Sequence, residues 1–94
     1  MGVIQSLRDT EAAAIFAGTR SKVYGNLQSV IERKLRMLNR ATTLQDLGSV
    51  RGNGLEALQR DRLGQHSIRI NDQYRLCFRW TTQGPADVEI VDYH

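Results

Sequence analysis

The final third of the chain constrains the fold most. His66 to Asn71, Tyr74 to Trp80 and Ala86 to Tyr93 alternate apolar and polar residues with a period of two, and TTQGP between the last two runs carries the residues a hairpin turn needs. Where one face of such strands is buried, register is fixed, because a slip of one residue turns every side chain to the wrong side. Tyr74, Leu76, Phe78 and Trp80 share one face, as do Val88 and Ile90. A three- or five-residue loop centred on Gly84 sets Trp80 opposite Val88 and Phe78 opposite Ile90. The other face then pairs Arg79 with Glu89 and Arg75 with Tyr93. A two-residue turn mixes core and solvent faces, so it is not expected. In SIRINDQYRL, a loop centred on Asp72 opposes Ile70 to Tyr74, Ile68 to Leu76 and Arg69 to Arg75.

The rest of the chain supplies helices to cover that sheet. Val3 to Leu7 reads as a short first strand, and Asp9 as the N-cap of a helix through Ala12, Ala13 and Ala14. From Lys22 to Arg40 the residues Val23, Leu27, Val30, Ile31, Leu35 and Leu38 recur at helical spacing, with Glu32, Arg33, Arg36 and Arg40 opposite. Thr42 to Val50 is a connection with one helical turn, RGNG (51–54) a glycine turn and Leu55 to Leu58 a further strand. The order β-α-α-β-β-β-β implies an α+β fold: two helices packed on one face of a mostly antiparallel, twisted sheet. At 94 residues the expectation is one domain, 1–94. MGVIQSLRDT lacks the pattern of a secretory signal, no apolar run approaches a membrane span, and a lone Cys77 suits a reducing compartment; the expected location is cytoplasmic.

Charge points to the chemistry. Of the 13 basic residues only Lys22 and Lys34 are lysines; the others are arginines, whose planar fork suits phosphate or carboxylate. Like charges directly opposed across a sheet are destabilising. The row Arg69, Arg75, Tyr93 therefore needs an anion above it, or the guanidiniums splay into water, or Asp72 or Asp61 neutralises one. Tyr74, Phe78 and Trp80 belong by parity to the apolar face, so they are core residues rather than a base-stacking platform. Two histidines and one cysteine, at 66, 77 and 94, do not make a structural zinc set, and no phosphate-cradling glycine loop with its lysine is present. Cys77 with His94 is a nucleophile pair on paper, but Cys77 is better explained as a small strand residue, and His66 as a partly buried one. Arginines, a tyrosine, a histidine and carboxylates on one face are the parts for RNA cleavage by side chains: a base for the 2′-OH, cations for the phosphorane and an acid for the leaving oxygen.

The run GLEALQRDRLGQHSIRINDQYRLCFRW, followed by a short hairpin and the terminal VDYH, resembles the HigB/plasmid-maintenance killer toxins of the RelE superfamily. The resemblance is close over roughly residues 50–94 and agrees in layout before that. It implies a RelE-like fold and a ribosome-dependent endoribonuclease that cuts mRNA in the A site, with no cofactor. It also implies a HigA-type helix-turn-helix antitoxin as partner, and operator DNA reached only through that antitoxin. Carried over by motif, Arg75 contacts the scissile phosphate, while Tyr93 and His94 orient RNA and move protons. Glu56, Gln59, Arg60, Arg62 and Arg69 become RNA-binding candidates. The family commonly reads Leu-Lys-Gly-Asp/Asn-Arg where this chain has Leu58-Gln59-Arg60-Asp61-Arg62. Gln59 replaces a full positive charge, so either Arg60 or Arg62 supplies it or the toxin is weak. A catalytically weakened module acting as antitoxin-binding co-repressor is the competing class, and an RNA-binding protein without cleavage a third.

Overall fold

Asp9 begins the first helix by direct capping. Its Oδ1 accepts from the backbone N–H of Glu11 at 2.8 Å and of Ala12 at 3.3 Å, satisfying donors the helix start leaves free. Helix α1 spans Thr10–Phe16, α2 Gln28–Arg40 and α3 Leu44–Gly48; strands β1 to β4 are Glu56–Ala57, Gln65–Arg69, Tyr74–Thr81 and Gly84–Asp92. The computed structural model describes residues 3–93. The four strands form one antiparallel sheet in the order β1-β2-β3-β4. Helices lie against one face, so the expected α+β arrangement is present, with a third short helix added.

That third helix is the single turn foreseen in the 42–50 connection. A capping box fixes it: Asp46 N–H donates to Thr43 Oγ1, while the Asp46 carboxylate accepts from the Thr43 N–H. The second helix starts later than its periodicity suggests. Residues Gly25–Leu27 form a 3-10 turn before Gln28. Ser21 Oγ accepts from the N–H of Val23 and Tyr24, and glycine and asparagine follow, so the backbone there favours a turn. Val23 consequently leaves the buried stripe and is 65% exposed. Val3 to Leu7 is extended but short of a regular strand. It runs beside β4 in parallel, with one bridge, Leu7 to Val88, and hydrogen bonds from Gln5 N to Pro85 O (2.7 Å) and Arg8 N to Val88 O (2.9 Å).

The core joins Ala12 and Ile15 of α1, Ile31, Leu35 and Leu38 of α2, and Leu47 of α3 to Ile68, Leu76, Phe78, Val88 and Ile90 of the sheet. Tyr74 and Trp80 pack at its margin, so the assignment of these aromatics to the apolar face holds. His66 belongs to the same side. It is partly buried, and its ring stacks on Phe78 with 6.3 Å between centroids.

The two hairpins compare differently with the sequence. In the first, Ile68 opposes Leu76 and Arg69 opposes Arg75, as the loop centred on Asp72 requires. The second does turn in two residues, since Thr81 opposes Gly84. A β-bulge then corrects the faces: Arg79 opposes Ala86 and Cys77 opposes Glu89, so Asp87 and Val88 together face Phe78. Asp87 adopts φ 53 to make the bulge. Trp80 therefore faces Pro85, Leu76 faces Ile90, and Arg75 faces Val91 rather than Tyr93. Arg79 pairs with Asp87 at 3.3 Å, not with Glu89. Gly84 is required at the turn exit because a Cβ there would stand 2.2 Å from the Val3 carbonyl oxygen.

Candidate functional site

The sheet face away from the helices has a floor of small residues. Glu56, Ser67, Cys77 and Glu89 line up across the four strands, since Glu56 opposes Ser67, Ser67 opposes Cys77 and Cys77 opposes Glu89. Ser67 and Cys77 are fully buried although they lie on the polar side. Burial pushes the Cys77 thiol up; Arg62 and Arg75 oppose that shift and Glu89 adds to it. A thiol so disposed is not an activated nucleophile, and Cys77 is a packing residue.

Arg75 lies across this floor in a fixed position. Its Nε donates to Ser67 Oγ at 2.7 Å, and its terminal nitrogen donates to the Gly54 carbonyl and stands 3.6 Å from Glu56 Oε1. Only 14% of the side chain is exposed. The Tyr93 ring lies over the guanidinium, 5.8 Å from ring centroid to Cζ, within range of a cation–π contact. Tyr93 is itself 43% exposed and anchored by its N–H, which donates to the Gln73 carbonyl at 2.7 Å. Arg75 and Tyr93 thus meet without being register partners. Glu56, Arg75 and Tyr93 come together; His94 lies outside the described residues.

The like-charge row has local counter-ions. Arg69 pairs with Asp72, and Arg75 stands beside Glu56. Of the readings left open for that row, neutralisation by Asp72 is the one present at Arg69. Arg62 is also committed: it contacts Glu89 Oε2 at 3.0 Å and Gln65 Oε1 at 3.1 Å, and Arg8 approaches the same Glu89 oxygen at 3.7 Å. The hydrogen bond to Glu89 raises the Arg62 pKa most; desolvation works against it, and Glu89, Cys77 and Tyr93 add electrostatic contributions. Gln59 and Arg60 are exposed, and neither side chain has a hydrogen bond or ion pair among the described residues.

Three contributors carry little signal in the sequence. Ser67 and the Gly54 carbonyl hold Arg75, yet a hydroxyl and a backbone oxygen have no charge to draw attention. The third is buried Lys34, 7% exposed, whose ammonium donates to Asn53 Oδ1. Desolvation, then Arg33 and Arg69, lowers its pKa. Asn53 in turn bonds the Leu47 carbonyl at 2.9 Å, and its own carbonyl accepts from Arg69 N–H at 2.7 Å. Lys34 falls between Ile31 and Leu35 on the apolar stripe of α2, which was the available clue. Among the described residues no three His, Cys, Asp or Glu side chains gather as metal ligands.

The family described as the RelE-like toxin of the type II toxin–antitoxin system HigB matches residues 7–94. The chain belongs to this HigB-like toxin family. An uncharacterized protein of Haemophilus influenzae is 38% identical over 65 residues, or 69% of this chain and 64% of that protein. Toxin HigB-1 of Vibrio cholerae is 40% identical over 69 residues, or 73% of this chain and 72% of that toxin. The aligned region thus spans just under two thirds of the Haemophilus protein. Arg75 and Tyr93 fall within the matched region. No helix among the described residues is long and apolar enough to cross a membrane.

Proposed function

We propose that the protein is a ribosome-dependent endoribonuclease toxin that cleaves mRNA in the A site and is neutralised by a HigA-type helix-turn-helix antitoxin, operator DNA being reached only through the antitoxin. The observation that carries this reading is the Arg75 centre: a guanidinium fixed by Ser67 and Gly54 on the helix-free face, under the ring of Tyr93. In the proposed reaction a 2′-oxygen loses its proton to a base and attacks the adjacent phosphorus, and the 5′-oxygen leaves with a proton from an acid. Arg75 stabilises the charge that accumulates on the phosphorane oxygens. Because its fork is held before substrate arrives, little reorganisation is needed. Tyr93 donates to a phosphate oxygen or stacks on a base, and His94, next in the chain, serves proton transfer. Glu56 is a proton acceptor already beside Arg75. The cytoplasm, where ribosomes and mRNA are found, is the proposed location, and residues 1–94 the proposed toxin domain.

The test is mRNA cleavage on programmed ribosomes by purified protein and by Arg75→Ala. Parent cleavage that disappears in the variant supports the reading; no cleavage by the parent removes it. A second reading, a weakened toxin that acts mainly as co-repressor with its antitoxin, is favoured by the state of Arg62, which Glu89 already occupies, and by the uncharged Gln59. Growth arrest that rises greatly in Gln59→Lys identifies that second case.

A further inference from the structure

Among the described residues, two non-glycines have left-handed backbones, Asp87 at φ 53 and Arg60 at φ 57. For L-residues this region costs conformational energy, and aspartate tolerates it better than a long side chain does. Asp87 recovers that cost locally. It shapes the β4 bulge, its carboxylate pairs with Arg79 at 3.3 Å, and its N–H donates to Ser6 Oγ at 2.8 Å. Arg60 recovers nothing of the kind, since its side chain has no partner among the described residues.

The turn closes without the Arg60 side chain. Arg62 N–H donates to the Gln59 carbonyl at 3.1 Å and Leu63 N–H to the Arg60 carbonyl at 3.0 Å. Leu58 N–H donates to the Gln65 carbonyl at 2.9 Å. A glycine at 60 would make the same backbone bonds with less strain, and at Gly64, φ 94, a few residues on, the chain does use glycine. Backbone strain without a local return is a pointer to function. The turn also has a defined place. Arg62 reaches from it across the open face to Glu89 on β4, which lies in one cross-strand row with Cys77 and with Ser67, the residue that holds Arg75. The turn therefore borders the same open face as Arg75.

We propose that Arg60 is an RNA-phosphate contact, held in a left-handed backbone at the expense of stability, that extends the grip on a single strand beyond Arg75. This inference rests on the RNA-cleaving reading above. Asp61 is exposed in the same turn and lowers the local positive potential, so the contribution is moderate. Exposed Leu63, at 74%, gives the turn an apolar neighbour that a protein partner could also use, and the test separates the two.

A 2′-O-methyl single-stranded RNA oligonucleotide cannot be cleaved by 2′-OH attack, so it reports binding alone. Its affinity for the full chain is measured against salt, beside thermal unfolding, for the parent, Arg60→Gly, Arg60→Lys and Arg75→Ala. Arg60→Gly is expected to raise Tm by about 2–4 °C. It should weaken RNA binding about 3–10-fold and reduce the log–log salt slope by about 0.7, the loss of one single-strand phosphate contact. Arg60→Lys should recover most of the affinity at the parent Tm. An unchanged affinity and slope in Arg60→Gly overturns the proposal, as does an unchanged or lower Tm. Intact RNA binding with weakened binding of polyglutamate overturns it too, in favour of an acidic protein partner. Cleavage on programmed ribosomes that is indifferent to Arg75→Ala counts instead against the functional reading on which the proposal rests.

Discussion

On one face of the sheet, Ile68, Leu76, Phe78 and Val88 are sealed under three helices; on the other, Ser67 and Cys77 are equally buried, but arginines and carboxylates form the cover. The first face is closed by apolar area, which is non-directional and tolerates swaps that conserve volume. The second is closed by hydrogen bonds of fixed geometry, from Arg75 to Ser67 and Gly54 and from Arg62 to Glu89. Removing a group from the first is expected to cost stability. Removing one from the second is expected to cost the arrangement of cations more than the fold.

The largest effect should come from Phe78→Ala, which empties a fully buried site and should cost about 3–5 kcal/mol in urea denaturation. A loss below about 1 kcal/mol would mean that the helix-covered face is not the dominant core. Next, Arg75→Ala should lower single-turnover mRNA cleavage on ribosomes by about 100-fold or more, with circular dichroism unchanged at the assay temperature. Loss of fold in that variant would erase the distinction between the two faces.

Lys34→Met probes the junction between them. Lys34 has a lowered pKa when folded, so between that value and its ordinary 10.5 the unfolded chain holds more protons. Its contribution makes stability rise with pH across that alkaline window. The rise should disappear in Lys34→Met, as seen by denaturation at a series of pH values, and persistence of the same slope would contradict it. Smallest should be Arg79→Gln. It breaks an ion pair whose partners are 53% and 43% exposed, and should shift stability by no more than about 0.5 kcal/mol. A larger change would show that the bulge at Asp87 depends on that pair.

The bulge also explains what could be read in advance. Ile68, Ile70, Tyr74 and Leu76 bracket Asp72 symmetrically, so the first hairpin follows from parity. In the second, a longer loop and a two-residue turn followed by one extra residue at Asp87 produce nearly the same alternation, and periodicity cannot separate them. The real solution depends on a φ of 53, a backbone property that leaves no mark on hydrophobic pattern. Arg75 was legible because its charge sat at an awkward place in the register. Ser67 and Gly54 were not, because their contribution arises only when the chain from 53 to 56 folds back beside β2. Val23 misled through composition: it continues the helical spacing, but Ser21 and Gly25 turn the backbone before the helix begins.

The segment from Val3 to Asp9 changes how this chain meets other chains. Val88 N–H donates to the Ser6 carbonyl at 3.1 Å, Asp87 N–H to Ser6 Oγ at 2.8 Å, and Ile90 N–H to Asp9 Oδ2 at 3.0 Å; Pro85 has no donor to offer. The outer margin of β4 is therefore occupied from Pro85 to Ile90, and the opposite margin belongs to β1, two residues long. Neither invites a foreign strand, which guards against edge-to-edge aggregation. A partner that added a strand beyond β4 would first have to strip the N-terminal segment away, whereas one that gripped side chains could leave it in place.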